Sequence, residues 1–261
     1  MLGALVADAR DRAHQLASSR RSLEAAASRA VQPPSLAAAL HGRHVALIAE
    51  IKRRSPSKGD INPGLSLPDR ARLYADAGAA ALSVLTQPSH FGGSAADLAD
   101  AAGVVSLPLL RKDFIVDALQ VVEARALGAA AVLLIARALP PDVLCGLAAA
   151  ARDVGVETLV EVRDEGELET AVAARADVIG VNNRNLESLA IDPAVSERLI
   201  PLVPADRPAV YESGVAERAD VERAAACGAD AVLVGSVLSG AAAPAELARS
   251  LASVPRTGRR G

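Results

Sequence analysis

The stretch Cys227-Gly-Ala-Asp-Ala-Val-Leu-Val-Gly235 combines the end of a helix, a turn of small residues and a short apolar strand. The same order recurs in residues 77–85, 127–135 and 174–181. The glycines that suit the left-handed position closing a helix are Gly78, Gly128 and Gly228. Further apolar runs of strand length lie at 45–51, 107–110, 158–162 and 209–212. The sequence therefore predicts eight short strands that alternate with helices, which is typical of a parallel sheet.

Eight such units fit a closed (β/α)8 barrel, the TIM barrel, with an extra N-terminal helical segment. We expect residues 1–44 to form a helical extension packed on the barrel, 45–254 the barrel and 255–261 a flexible tail. The first 30 residues read as one amphipathic helix with Leu2 and Leu5 on its apolar side. The alternative architecture is a doubly wound open sheet. That fold normally carries a G-x-G-x-x-G loop after its first strand, and this chain has none.

Composition argues against several classes of function. The net charge of −3 provides no basic field to attract nucleic acid, and no apolar stretch reaches the ~20 residues of a membrane span. Cys145 and Cys227 lack the spacing of metal ligands, and the four histidines form no pair four residues apart. We therefore expect a cytoplasmic protein with reduced thiols, and no metal, nucleic-acid partner or membrane contact.

Lysine is scarce in this chain, and its placement is informative. Only three of the 28 basic residues are lysines, and Lys52 and Lys112 each end an apolar run. A guanidinium stays protonated at any working pH, whereas burial can lower a lysine pKa until the group exchanges protons. The pattern indicates that these two positions need an ammonium group. Lys58 lies in a loop containing Pro and Gly, where a mobile surface charge is the simpler interpretation.

Alternation along the strands predicts which side chains enter the barrel. On each strand the polar inward residue falls at the carboxyl end, where barrels of this kind keep their active sites. The polar inward set is Glu50, Lys52, Lys112, Glu161, Asn182, Arg184 and Glu212. Crowding of ammonium groups against carboxylates is expected to move some pKa values towards neutrality, as acid–base catalysis requires. The alternative is a network of ion pairs without function, but burying charges only to pair them rarely stabilises a protein.

Two loops suit a phosphate group. Ser213 and Gly214 follow the seventh strand, and Gly235 and Ser236 follow the eighth, ahead of a short helical turn. Small residues let backbone N–H groups approach phosphate oxygens. The last two strands are also where barrels of this type hold phosphate.

Three further residues are candidates for contact with a substrate. Ser55, in the loop after the first strand, could reach a bound anion. Phe91 and Phe114 both lie in strand-to-helix loops. Together they could form an apolar wall for an aromatic ring.

These residues fall in segments that closely resemble the indole-3-glycerol phosphate synthase family. The resembling segments are Ala49-Glu-Ile-Lys-Arg-Arg-Ser-Pro-Ser-Lys-Gly59, Leu82-Ser-Val-Leu-Thr86 with Phe91-Gly-Gly-Ser94, Leu110-Arg-Lys-Asp-Phe-Ile115, Leu159-Val-Glu-Val162, Gly180-Val-Asn-Asn-Arg-Asn-Leu186, Glu212-Ser-Gly214 and Val234-Gly235. The match runs in order over residues 45 to 240, and the leading helix resembles that family's extra N-terminal helix.

The resemblance implies a carboxy-lyase of tryptophan biosynthesis that needs no cofactor. It would convert 1-(2-carboxyphenylamino)-1-deoxyribulose 5-phosphate to indole-3-glycerol phosphate, releasing carbon dioxide and water. By motif, Lys112 would be the general acid and Glu161 the base of the dehydration. Lys52 would hold the substrate carboxylate or the phosphate and could share in proton transfer. The groups that would orient or support the reacting atoms are Glu50, Asn182, Arg184 and Glu212. Those that would bind phosphate are Ser213, Gly214, Gly235 and Ser236. We expect a monomer, and contact with other enzymes of the tryptophan pathway stays open.

Two alternatives remain at this point. One is another phosphosugar-binding barrel, such as a phosphoribosyl isomerase, which would share the last two loops. Such an isomerase would be expected to use a Cys or Asp acid–base pair at the strand ends, and neither Cys145 nor Cys227 lies there. The other is a non-catalytic phosphate-binding barrel, which predicts loss of the charged groups that this chain retains.

Overall fold

The computed structural model describes residues 2–55, 59–60 and 65–258. The described chain contains a closed barrel of eight parallel strands, which confirms the predicted (β/α)8 fold. The barrel strands are β1 (Ala46–Ile51), β2 (Ala81–Leu85), β3 (Leu109–Lys112), β4 (Ala131–Ile135), β5 (Glu157–Val162), β6 (Val178–Asn182), β7 (Ala209–Glu212) and β8 (Ala231–Val234). Neighbours in the chain pair with one another, and β1 closes the barrel against β8. A short antiparallel pair, Arg54–Ser55 with Gly59–Asp60, follows β1.

Helices cover the barrel and fill the connections between its strands. They are α1 (Leu2–Leu16), α2 (Arg20–Arg29), α3 (Leu36–Ala39), α4 (Leu67–Asp76), α5 (Pro88–Phe91), α6 (Ala95–Ala102), α7 (Ala118–Ala126), α8 (Pro141–Asp153), α9 (Glu165–Ala173), α10 (Ala194–Leu199), α11 (Arg218–Ala226), α12 (Ser236–Gly240) and α13 (Pro244–Leu251). Single 3₁₀ turns lie at Ala17–Ser19, Ala136–Ala138 and Ile200–Leu202. Across the residues described, no helix is both long enough and apolar enough to span a bilayer.

Helix ends use the left-handed turn that the repeated segments predict. Gly78, Gly128 and Gly228 have φ values of 91°, 89° and 91°. The segment at residues 174–181 has Arg175 instead of a glycine at this position, and Arg175 also has a positive φ, of 61°. A side chain with a Cβ adopts this conformation at a cost of about 1–2 kcal/mol. The fold therefore imposes the turn even where the local sequence does not favour it.

Strand alternation separates two apolar cores, as the pattern predicts. Ile48, Leu110, Leu159 and Val210 pack inside the barrel, while their neighbours along each strand pack against the helices. The third strand predicted at 107–110 is wrong by two residues, since β3 ends at Lys112. Successive side chains alternate between the two faces of a strand. Moving the strand boundaries by two residues therefore leaves the inward direction predicted for the third strand unaffected.

The N-terminal extension begins with the helical stretch predicted for the first 30 residues, which runs from Leu2 to Arg29 with a 3₁₀ turn inside it. The 3₁₀ turn Ala17–Ser19 separates α1 from α2, and α2 packs along α7. The guanidinium of Arg125 on α7 donates to the carbonyls of Ala30 and Val31 at 2.9 and 2.8 Å. These bonds hold the chain where it leaves α2.

The short helix α3 closes the amino-terminal end of the barrel. Leu36 and Leu40 are fully buried and belong to the interior cluster of the barrel. Glu157, the first residue of β5, accepts hydrogen bonds from Ser35 Oγ and from the Ala37 N–H at 2.8 Å. The carboxylate thereby satisfies a backbone donor of the first turn of α3 and fixes this helix under the barrel.

Leu36→Ala is expected to lower the free energy of unfolding by about 2–5 kcal/mol, because it leaves a cavity in the barrel floor. Turnover should be unchanged, since the floor lies at the end opposite to Lys112. Urea unfolding followed by circular dichroism measures the first effect, and a rate assay the second. Leu202→Ala, at a side chain that is 55% exposed, is the matched control. Equal unfolding midpoints for the two variants would contradict the role of α3.

Candidate active site

A cavity of about 500 Å³ opens at the carboxyl-terminal end of the barrel. This volume is in the usual range of small-molecule sites. The cavity is lined by Glu50, Lys52, Phe91, Lys112, Phe114, Glu161, Asn182, Arg184, Glu212, Ser213, Gly214, Gly235 and Ser236. Every candidate site residue named from the sequence is in this set except Ser55, whose side chain lies outside the described part of the chain. Lys58 also lies outside the described residues.

Lys112 stands at the centre of the polar part of the cavity. Its Nζ is 2.9 Å from Glu212 Oε2 and 3.8 Å from Glu161 Oε2. Burial by itself lowers the Lys112 pKa, but attraction by Glu212, Glu161 and Glu50 outweighs burial, so the pKa is raised. The expectation that burial would bring a lysine pKa down is therefore wrong for Lys112. The ammonium group stays protonated at neutral pH.

Glu161 is the group whose titration moves to neutrality. Burial, and then repulsion by Glu212, raise the pKa of Glu161 to about 7, against the opposing attraction of Lys112. Both protonation states of this carboxyl group are therefore populated at neutral pH. A group with this property can accept and return a proton during a reaction.

A second ion pair lies across the mouth from the first. Lys52 Nζ is 2.9 Å from Glu50 Oε1 and 2.7 Å from Ser236 Oγ. Burial by itself raises the Glu50 pKa, but attraction by Lys52 and then Lys112 outweighs it, so this pKa is lowered. Lys52 thus joins the carboxylate of Glu50 to the loop that follows β8.

The connection after β6 is held by its own polar groups. Asn182 Oδ1 accepts the Arg184 N–H at 2.9 Å, and the Arg184 guanidinium donates to the Leu189 carbonyl at 3.0 Å. A bridge between Arg184 and Ile191 closes this segment as a tight loop. The loop brings apolar side chains over the cavity.

The loops after β7 and β8 expose backbone at one side of the cavity. Ser213 and Gly214 have φ values of 67° and 87°, a left-handed pair of residues. The chain therefore turns sharply after β7, and backbone N–H groups in a turn of small residues can approach an anion. Gly235 precedes Ser236, the first residue of α12.

The apolar wall is larger than the two phenylalanines found from the sequence. Leu2 and Leu5 of α1 line the cavity, although the sequence indicated only that this face of the helix is buried. The remaining apolar lining residues include Leu133, Ile135, Leu186, Leu189 and Ile191. Leu133 and Ile135 were not among the predicted residues, although alternation along β4 is a signal that could have identified them. No local signal marks the residues of the β6 loop, because their direction depends on the loop's own hydrogen bonds.

A buried ion pair joins α1 to the residue that follows Lys112. The Arg12 guanidinium lies 2.8 and 3.0 Å from the two carboxylate oxygens of Asp113, whose side chain is fully buried. Thr86 Oγ1 donates to the same carboxylate at 2.7 Å, and Asp113 Oδ1 accepts the Phe114 N–H at 2.8 Å. No local pattern indicates this pair, because its partners are 101 residues apart in the chain.

Fold and site together define a (β/α)8 barrel of the enzyme type, with a buried lysine–carboxylate cluster in a cavity at its carboxyl-terminal end. A family model described as indole-3-glycerol phosphate synthase matches residues 3–251, and the chain belongs to this family. It is accordingly a carboxy-lyase of tryptophan biosynthesis, with 1-(2-carboxyphenylamino)-1-deoxyribulose 5-phosphate as its substrate. This identity sets aside the phosphoribosyl isomerase and the non-catalytic barrel.

Relatives described as indole-3-glycerol phosphate synthases are similar to this chain over most of their length. A protein of Nocardioides sp. is 55% identical over 195 residues, which cover 74% of this chain and 74% of that protein. A protein of Streptomyces coelicolor, indole-3-glycerol phosphate synthase 2, is 45% identical over 253 residues, covering 96% and 98%.

Solved structures share the fold at low sequence identity. A thiamine phosphate pyrophosphorylase from Pyrococcus furiosus has a TM-score of 0.60 at 15% identity, covering 80% of this chain and 94% of its own. A 3-hexulose-6-phosphate synthase from Salmonella typhimurium has a TM-score of 0.64 at 18% identity, covering 80% and 97%.

The pH profile of kcat/KM is expected to fall on the acid side with an apparent pKa of about 7. Glu161 acts as a base only when ionised, and it takes up a proton as the pH falls through this value. Steady-state rates measured across this pH range define the acid limb of the profile. Glu161→Gln should lose most activity together with the limb, and a wild-type profile that is flat through neutrality would refute the assignment.

Arg12→Met is expected to lower the free energy of unfolding by about 3–5 kcal/mol, because it leaves the Asp113 carboxylate buried without its main partner. KM should also rise, since α1 carries Leu2 and Leu5 into the cavity. Arg20→Met is the matched control, because the Arg20 side chain is 58% exposed in its pair with Glu24. Coincident denaturation curves for the two variants would exclude the buried pair as an anchor.

Proposed function

We propose that Lys112 is the general acid and Glu161 the base in the reaction of this enzyme. The observation that carries the proposal is the buried contact of one ammonium group with two carboxylates, at 2.9 Å to Glu212 and 3.8 Å to Glu161. Lys112 is kept protonated by its surroundings, and Glu161 titrates near neutrality. One group is thus ready to give a proton and another to take one.

The chemistry needs both groups in turn. The ring carbon that carries the carboxylate attacks the ketone carbon, and the ketone oxygen takes a proton from Lys112 as the carbon–carbon bond forms. Carbon dioxide then leaves, and its bonding electrons restore the aromatic ring. Finally the new hydroxyl group leaves as water after protonation, while Glu161 accepts the proton that is lost as the double bond forms. No cofactor is required.

The remaining polar groups would hold the two anionic ends of the substrate. We propose that Ser213, Gly214, Gly235 and Ser236 bind the phosphate, a role that their common position at one side of the cavity supports. Lys52, 2.7 Å from Ser236 Oγ, would bind the phosphate or the substrate carboxylate. The residues proposed to orient or support the reacting part are Glu50, Asn182, Arg184 and Glu212.

The apolar part of the cavity would bind the aromatic ring. Phe91 and Phe114 line it together with Leu2 and Leu5. An apolar wall opposite a polar cluster matches a substrate with a ring between two charged ends. Ser55 stays a proposed contact on the basis of its sequence position alone.

Several further features belong to this proposal. We propose a monomer that works in the cytoplasm, with a helical extension at 1–44 and the catalytic barrel at 45–254. The flexible tail expected at 255–261 falls partly outside the described residues. Within them, the Arg256 guanidinium pairs with Asp230 at 3.0 Å, and the Arg256 N–H donates to the Arg43 carbonyl at 2.9 Å. The two described cysteines are unpaired, which is typical of a reducing compartment. Contact with other enzymes of the tryptophan pathway is left to direct binding measurements.

Lys112→Ala is expected to lower kcat by about 10²–10⁴-fold or more, because the ketone oxygen loses its proton donor. Substrate binding should largely persist and is measured by calorimetry. Lys112→Arg is the matched control, since it keeps the positive charge but replaces the compact ammonium group by a planar guanidinium with a different donor geometry. The fluorescence of the indole product follows turnover, and the chain has no Trp to add background. Activity of Lys112→Ala close to wild type would remove Lys112 as the acid.

A further inference from the structure

Gly180 lies between the two carboxylates that contact Lys112. In the register of the sheet Gly180 pairs with Glu161 of β5 on one side and with Val210 of β7 on the other. Glu212 is two residues beyond Val210 on the same strand, so its side chain also points into the barrel. The carboxylate of Glu212 lies over the Cα of Gly180.

A side chain at residue 180 would occupy the place of that carboxylate. A Cβ built on Gly180 overlaps Glu212 Oε1, and it comes within 3.2 Å of Glu212 Cδ and 2.8 Å of Leu159 Cδ2. Real Cβ atoms avoid contacts this short, so both the Glu212 carboxylate and the Leu159 side chain would have to move.

Backbone conformation is not the reason for a glycine here. The glycines with positive φ in the described chain include Gly214 at 87°, and Gly180 is not among them. Any residue could adopt the strand geometry of β6 at this point. What distinguishes glycine is therefore the volume that it leaves open.

We propose that Gly180 is a positioning residue, whose missing side chain sets where the Glu212 carboxylate lies and, through it, where the ammonium group of Lys112 lies. Glu212 reaches Lys112 with Oε2, and its Oε1 has no hydrogen-bond partner among the described residues. Since no donor holds Oε1, the position of this carboxylate depends on the single bond to Lys112 and on the room above Gly180.

The proposal rests on the proposed role of Lys112 and extends it to a residue that never touches the substrate. It predicts that the effect of filling this space depends on the length of the side chain at 212. An aspartate is one methylene shorter, so its carboxylate retracts from residue 180.

The test compares Gly180→Ala, Glu212→Asp and the double variant by the fluorescence assay. Gly180→Ala is expected to lower kcat by about 10²-fold, the usual cost of misplacing a catalytic group by roughly 1 Å. The double variant should show no further loss beyond Glu212→Asp, within the roughly twofold scatter of such comparisons. The comparison of the double variant with Glu212→Asp tests the proposal even when Gly180→Ala alone folds poorly. The shorter side chain at 212 retracts from residue 180, so the proposal requires the double variant to fold.

Two controls separate positioning from packing. Gly180→Ala combined with Leu159→Ala removes only the clash with Leu159, and should not restore turnover. Gly146→Ala, on an exposed face of α8 where a Cβ meets nothing within 4 Å, should leave kcat unchanged. The acid limb of the pH profile should shift in Gly180→Ala, because Glu212 contributes to the pKa of Glu161.

Three results would overturn the proposal. They are wild-type turnover in Gly180→Ala, losses in the double variant that multiply as for independent sites, and rescue by Leu159→Ala in place of Glu212→Asp. Failure of the acid role shows itself differently, as near-normal activity of Lys112→Ala. The coupling between residues 180 and 212 can therefore be judged whichever residue supplies the proton.

Discussion

The structure depends on the requirement that a buried ammonium group be balanced by carboxylates. Lys52 and Lys112 face three carboxylates at the barrel mouth, so one carboxylate has no ammonium group to itself. Glu50 and Glu212 each lie 2.9 Å from a lysine, whereas Glu161 is 3.8 Å from its nearest. The carboxylate with the weakest partner is the one whose pKa rises to about 7. Burial, together with the surplus of carboxylates, thus brings the pKa of Glu161 into the neutral range, and the short contacts keep Lys112 protonated.

Strand alternation links this cluster to the N-terminal extension. Lys112 ends β3 pointing into the cavity, and the next residue, Asp113, points outwards to the Arg12 guanidinium of α1. The pKa of Asp113 is lowered, because its hydrogen bond and attraction to Arg12, together with Arg111, outweigh the effect of burial. The helix α1, which lies outside the barrel, is therefore anchored one residue away from Lys112. The same helix supplies apolar side chains to the cavity, so its anchor and its contribution to the site are adjacent.

The interior of the barrel differs in polarity between its two ends. At the amino end the interior is apolar, and α3 closes it with Leu36 and Leu40. At the carboxyl end the interior is charged and open, and loops of small residues lie beside the ammonium groups. The apolar amino end thus contributes to stability alone, whereas the carboxyl end also holds the charged groups of the cavity.

The sequence by itself determined the barrel, the inward direction of the polar residues and the family, because these depend on short repeats, on a period of two and on local motifs. It also placed Lys112, Glu161 and the phosphate loops at one end of the strands. Which carboxylate has its pKa raised into the neutral range follows from the three-dimensional arrangement, since it depends on burial and on differences of about an ångström between side chains from different strands. The pairing of Arg12 with Asp113 and the room above Gly180 likewise arise between segments distant in the chain, where no local pattern records a contact.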